Sequence, residues 1–237
     1  MPTPNLREAI PINKCGFGLD PKTNVYKVVI LGHHTYEEYF TDEYQDFVLY
    51  NATTHSWKKL NAVVKGALIK AWHPFGMYMN GFYHWLAEPS GLNTVYDRDL
   101  IISFDMSDEV FQITPIGKFW NKTTWGVFTE WNKSLAVICS LSCEVERFIE
   151  IWKVSEYGSK AVWSKQFNIG PILVDEVPLG LWNNNRVFIL GNGNGLVISY
   201  DPITQTSKVL IPSVGILWDD WAVNVVKYKE SLVSFSQ

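Results

Sequence analysis

Helical periodicity is what this 237-residue sequence most lacks. No stretch of about twelve residues keeps apolar positions at i, i+3 and i+4 free of helix breakers, which excludes a helical bundle. No run approaches the roughly 18 apolar residues of a membrane-spanning helix. The N-terminal MPTPNLREAIPINKC carries no apolar core of a secretory signal. Net charge is only −4, and Lys and Arg form no cluster, which argues against nucleic acid as a partner. Cysteine is scarce: Cys15, Cys139 and Cys143 make an odd set without metal-ligand spacing. Cys139 follows the apolar run Leu135 to Ile138 and reads as a small buried side chain. Without a signal, the N-x-S/T sequons at Asn51, Asn121 and Asn132 have no route to glycosylation. A cytoplasmic or nuclear location is expected.

Signatures of catalysis are missing too. His33, His34, His55, His73 and His84 show no H-E-x-x-H or other metal spacing and no zinc-type Cys/His pairing. There is no G-x-S-x-G nucleophile elbow. Gly191-Asn192-Gly193-Asn194-Gly195 resembles a phosphate loop only in glycine content, because no Lys-Ser/Thr follows and a strand comes next. Glu37-Glu38 and Asp219-Asp220 are adjacent pairs, and adjacent side chains on a strand face opposite ways, unlike a general acid/base pair. A non-enzymatic protein with no cofactor and no metal is expected. The alternative is a propeller-fold hydrolase or oxidoreductase with no recognisable motif.

What the chain has in abundance is aromatic residues, at 15% with eleven Trp, and regularly spaced hairpins. Gly16 to Leu31 reads as an apolar strand, a turn at Asp20-Pro21-Lys22-Thr23-Asn24, and a second strand from Tyr26. Pro21 presets φ, and Asp20 can hydrogen-bond its own backbone two residues on. Four later stretches share this grammar: Phe47–Leu60, Leu100–Ile116, Phe148–Phe167 and Leu196–Pro212. Their first strands close on Tyr50, Phe104, Trp152 and Tyr200. A further strand precedes each hairpin, at Tyr26–Leu31, Phe82–Ala87, Leu135–Ser140 and Val187–Leu190. Three of these follow polar turns, at Asn80-Gly81, Asn132-Lys133 and Asn183-Asn184-Asn185. Both landmarks recur every 48 to 56 residues. Units of about fifty residues point to an all-β fold, a kelch-like β-propeller, with a β-sandwich as the competing architecture.

Trp218 to Phe235 adds one or two strands, with a turn at Lys229-Glu230-Ser231, but no closing hairpin. The chain also begins just before its first hairpin. A ring-closed propeller joins both termini in one blade, so closure is expected to be incomplete at the N-terminus. Residues 1–15 read as a remnant or linker, and residues 16–237 as the propeller-like domain.

One connection stands out. Gly32 to Asp46, GHHTYEEYFTDEYQD, carries Glu37, Glu38, Asp42, Glu43 and Asp46 with no Lys or Arg, interleaved with Tyr36, Tyr39, Phe40 and Tyr44. Tyrosine supplies contact area at low rotamer cost, and the acids would steer a basic protein partner. This loop is the candidate recognition surface; a solvated loop with aromatics tucked inward is the plainer reading. Trp218-Asp219-Asp220-Trp221 has similar chemistry, although paired Trp residues more often belong to a core.

The hairpin GFGLDPKTNVYKVV, at Gly16–Val29, resembles the GFGYDPxTNDYKVV signature of plant F-box associated domains. NGFYHW at Asn80–Trp85, ISFDM at Ile102–Met106, IWKVSEYG at Ile151–Gly158 and VKYKESLVS at Val226–Ser234 follow in the family's order. The resemblance covers about 220 of the 237 residues, and its wording is most similar to S-locus F-box proteins. Leu19 and Val25 replace the usual aromatic and Asp. The resemblance implies a substrate receptor of a Skp–cullin–F-box ubiquitin ligase. In that design an F-box docks on the Skp-type adaptor while the associated domain recruits a protein target, which for S-locus members is a basic S-ribonuclease in self-incompatibility. No F-box is recognisable in this sequence, so adaptor binding is expected only through a segment not present here.

Overall fold

Asp20 to Asn24 shows how the chain turns a corner. The Asp20 carboxylate accepts the backbone N–H groups of Lys22 at 2.9 Å and Thr23 at 3.3 Å, and Asn24 sits at φ 58°. The Asn24 N–H then closes on the Asp20 carbonyl at 2.8 Å. Strands β1 (Ile12–Asp20) and β2 (Val25–His33) leave this corner antiparallel, in register from Gly16↔Val29 to Asp20↔Val25. The design returns three times. Asn51, Asp105 and Asp201 accept the N–H two residues on, at 2.9, 2.7 and 2.9 Å. Four residues beyond each of them, His55, Glu109 and Gln205 take φ of 50°, 56° and 54°. A short polar side chain that satisfies nearby backbone donors is what makes these residues favour turns over strands.

The computed structural model describes residues 12–33, 45–60, 64, 67–69, 76–89, 99–143, 146–172, 177–182, 186–190, 197–201 and 203–211. Their strands form antiparallel sheets, and among the described residues there are 3-10 turns but no α-helix. In the first sheet β1 and β2 are joined by β3 (Gln45–Asn51) and β4 (Ser56–Leu60), in the order β1-β2-β3-β4. In the second, β5 (Ala67–Ile69) and β6 (Met77–Met79) both pair with β7 (Phe82–Pro89), followed by β8 (Leu100–Asp105) and β9 (Phe111–Pro115). The third runs β10 (Thr123–Trp131), β11 (Ser134–Cys143), β12 (Glu146–Glu156) and β13 (Val162–Ile172). The fourth runs β14 (Val177–Trp182), β15 (Arg186–Leu190), β16 (Val197–Asp201) and β17 (Thr206–Ile211).

The all-β expectation and the spacing of the hairpins are met. Asn80-Gly81 has φ of 51° and 87°, and Asn132-Lys133 has 48° and 60°, so both are two-residue turns with positive φ at each corner. Cys139 is fully buried. Two features differ from the sequence reading. The opening hairpin is the first pair of its sheet, whereas the four stretches that share its grammar are the last pairs of theirs. The leading strand of the second sheet is split into β5 and β6, each too short to carry a period of its own. The turn at 183–185, the glycine-rich 191–195 and the strands expected in 218–235 lie outside the described residues.

The chain divides into two compact units, residues 1–122 with 153–164, and residues 123–152 with 165–237. In the first unit Val29, Leu31, Phe47 and Leu49 of one sheet share a core with Trp85, Ile102 and Phe104 of the next. Burying each such side chain stabilises the fold by roughly 1.5–3 kcal/mol. In the second, Trp131, Ile138, Ile149 and Ile151 share a core with Ile198 of the fourth sheet. There Trp131 meets Phe167 edge-on at 5.2 Å.

Candidate functional site

The acidic-aromatic connection is anchored by the last pairs of β2 with β3, Gly32↔Asp46 and His33↔Gln45. It therefore leaves the first sheet at the end opposite the hairpin corners at 21–24 and 52–55. Tyr36, Glu37, Glu38, Tyr39, Phe40, Asp42, Glu43 and Tyr44 themselves lie outside the described residues, as do Trp218 to Trp221.

At the corner end of the same unit, the described residues build a dense polar cluster. Lys27 lies in an otherwise apolar strand, on the face of β2 that carries the core residues Val29 and Leu31. Its ammonium meets the Met106 carbonyl at 2.5 Å, Asp20 Oδ2 at 3.0 Å and Glu109 Oε1 at 3.0 Å. An ammonium has three donors, and all three are used. Asp20, only 1% exposed, also accepts from Ser107 Oγ at 2.5 Å and Thr23 Oγ1 at 2.7 Å. Glu109 reaches Lys58 with its other oxygen, and Lys22 pairs with Asp108 at the surface. The corner of β1–β2 and the corner of β8–β9 are thus clipped together by side chains roughly eighty residues apart in sequence.

Electrostatics decide what this cluster can do. Burial pushes the Asp20 carboxyl up, but hydrogen bonds from Ser107, Thr23, Lys27 and the Lys22 backbone outweigh it and hold the group well below the usual carboxylate range. For Lys27, burial alone would lower the value, yet bonds to Glu109 and Asp20 raise it. Both groups stay charged across the physiological range, and neither is poised to exchange a proton near neutrality. The arrangement holds two sheets together and does not transfer protons.

His84 is buried beside β8, with Nδ1 at 2.8 Å from Ser103 Oγ and its ring near-parallel to those of Phe82 and Tyr157, each at 6.2 Å. Its Nε2 is buried without a hydrogen-bond partner among the described residues, and burial brings its pKa down to about 4. In the second unit, Glu150 is nearly buried. It accepts from Trp152 Nε1 at 2.7 Å and pairs with Lys165, which lies 5.3 Å from the Trp152 ring centre. Among the described residues no group of three or more His, Cys, Asp or Glu is placed to hold a metal ion. At the surface, Phe17, 55% exposed, stacks on the half-buried Tyr26 at 5.3 Å.

Sequence reasoning missed the roles of Lys27, Ser107 and Glu109. The available signal was a lone lysine inside the apolar run Tyr26 to Leu31, a position where a charge requires a buried counter-charge. No curated protein matches the chain. The family model for the F-box associated beta propeller domain matches residues 6–235. A chain folded into antiparallel sheets, repeating about every fifty residues and matched over nearly its whole length, belongs to the F-box associated β-propeller domain family.

Proposed function

We propose that this chain is the substrate-recognition domain of a Skp–cullin–F-box ubiquitin ligase receptor, and that it recruits a protein target through residues 32–46. The family match over residues 6–235 carries this reading. The sheets are read here as kelch-like propeller blades, and the receptor as working in the cytoplasm or nucleus. The described ion pairs support a scaffolding role for the corner end, which leaves the acidic-aromatic connection at the other end of the first sheet as the recognition element. The target is a basic protein. The similarity of IWKVSEYG and YKESL to S-locus F-box proteins points to an S-ribonuclease, and so to self-incompatibility in a plant.

The five acids of this segment make a local negative field that physiological salt screens within about 8 Å. The field accelerates encounter, while the tyrosines hold the docked partner. The test is surface-plasmon kinetics with a basic S-ribonuclease over the immobilised chain. The variant Glu37→Gln/Glu38→Gln/Asp42→Asn/Glu43→Gln is expected to associate more slowly and with a flatter salt response, and Tyr39→Ala to dissociate faster. An unchanged on-rate at low salt overturns the loop assignment. Absence of any binding by the wild-type chain overturns the ribonuclease assignment.

A further inference from the structure

The turn between β12 and β13, Gly158–Lys160, lies on the second sheet, within the first unit. Its seat is one face of that sheet. His84, Ser103 and Gln112 stand side by side across it, and Leu86, Ile101 and Thr114 form the next row. The Gly158 N–H donates to Thr114 Oγ1 at 3.0 Å, and Trp163 Nε1 to the Pro115 carbonyl at 3.1 Å. At φ 79°, Gly158 passes so close to the sheet that a Cβ there would stand 2.9 Å from Gln112 Nε2. Just before it, the Tyr157 ring lies near-parallel to that of His84 at 6.2 Å. Tyr157 is 39% exposed and His84 only 2%, so a ring that meets water covers an imidazole that does not.

The neutral imidazole suits this seat and the imidazolium does not. Nδ1 shares one hydrogen bond with Ser103 Oγ, and Nε2 is buried with no partner among the described residues. Protonation puts an N–H on both ring nitrogens, so the second then needs an acceptor. A buried charge left unpaired is costly. The ionisable groups on the elements packed around the ring are Glu88 on β7, Asp105 on β8, and Glu156, Tyr157 and Lys160 in or beside the turn. Strand β9 has none, and Tyr78 of β6 pairs with Tyr83 on the opposite face. Burial is the cause of the lowered His84 pKa, so what relieves the charged ring is water. The cover decides where water enters. Strand β7 is laddered to β6 on one side and β8 on the other, whereas the turn is held by single hydrogen bonds and ring contacts. We propose that this turn is an acid-released latch: protonation of His84 lifts Tyr157 and Gly158 off the second sheet while β7, β8 and β9 stay paired. The latch is separate from residues 32–46 and does not depend on their role.

The test is amide hydrogen exchange of the whole chain at pH 7.5 and pH 5, with and without dilute urea, each rate corrected for its intrinsic pH dependence. His84 titrates near its ordinary 6.5 when uncovered and at about 4 when covered. The opening constant of 157–163 should therefore rise about thirtyfold between pH 7.5 and pH 5. Release of a turn exposes little surface, so exchange there should respond weakly to urea, while exchange at 101–104 in β8 should respond steeply. His84→Gln, which cannot titrate, should abolish the rise at 157–163. Tyr157→Ala, which removes the cover, should raise the pH at which the His84 ring titrates by at least one unit, read by NMR. That readout and the urea response stand even if His84→Gln does not fold. The proposal is overturned if exchange at 157–163 rises no more in wild type than in His84→Gln, or is as sensitive to urea as at 101–104. It is overturned equally if Tyr157→Ala leaves the His84 titration where it was.

Discussion

Lys27→Met is the sharpest test of the clip between the first two sheets. Methionine keeps most of the apolar stem and deletes only the ammonium, which now meets Met106, Asp20 and Glu109 at 2.5, 3.0 and 3.0 Å. Its loss leaves the Asp20 carboxylate buried without a counter-charge. Removing one partner of a buried pair costs about 3–5 kcal/mol. Asp20 retains its bonds from Ser107, Thr23 and Lys22, and Glu109 retains Lys58, which puts the expected cost at the lower end, about 3 kcal/mol. At about 2–4 °C per kcal/mol for a domain of this size, the melting point should fall by roughly 6–12 °C. The assay is urea and thermal denaturation of wild type, Lys27→Met, Asp20→Asn and the double variant. The double variant should be more stable than the sum of the singles by at least about 1 kcal/mol, because neutralising Asp20 relieves the charge that Lys27→Met strands. A depressed carboxylate stabilises the fold above its unfolded value near pH ~4 and loses that contribution as pH falls below it. The gap between wild type and Lys27→Met should therefore hold steady above pH ~4 and shrink in stronger acid. A loss smaller than about 0.5 kcal/mol, or additivity within about 0.5 kcal/mol, refutes the clip.

Three further outcomes follow from the same geometry. His84, with its folded pKa at about 4, contributes stability that is complete above the unfolded value of about 6.5 and declines as pH falls from there toward 4, by about 3 kcal/mol in all. Urea midpoints at pH 7 and pH 5 should show the decline, and His84→Phe should flatten it; parallel curves for the two proteins would exclude His84 as the cause. Gly16→Ala places a methyl 2.7 Å from Trp85 Cζ2 and 2.8 Å from Tyr83 Cγ, an overpacking worth about 1–3 kcal/mol in the same denaturation assay. Gly81→Ala, at φ 87° and with Pro21 Cγ 2.9 Å from the added carbon, should cost about 1–2 kcal/mol.

The corners were legible in the sequence because their chemistry is local. Asp20 bonds the backbone two residues on, and Asn80-Gly81 needs nothing beyond its own tolerance of positive φ. The hairpin grammar followed from those corners. The clip was not legible. Lys27 finds the Met106 carbonyl and Glu109 about eighty residues away, and no pattern along the chain records such a meeting. The lone lysine inside an apolar run signalled a need for a counter-charge, but not which residues would supply it. The split between β5 and β6 escaped for a different reason, because three-residue strands are too short for an alternation to stand out from chance.

The four matching corners each place a non-glycine residue at positive φ, and the four residues are all different: Asn24, His55, Glu109 and Gln205. A single such residue costs about 1–2 kcal/mol, yet it does not define the bend. Asp20, Asn51, Asp105 and Asp201 do that four positions earlier, each by accepting two backbone N–H groups. The left-handed position is therefore a socket whose fitting can be exchanged while the bracket stays the same. In one corner the fitting is an imidazole that meets the Tyr50 hydroxyl at 3.2 Å. In another it is the Glu109 carboxylate, cantilevered back into the neighbouring sheet to grip Lys27 and Lys58. One bend, stamped repeatedly along the chain, becomes a hydrogen-bonding peg or an ionic hook by the choice of one side chain, so new contacts between strands can be installed at such a socket without redrawing the backbone that carries it.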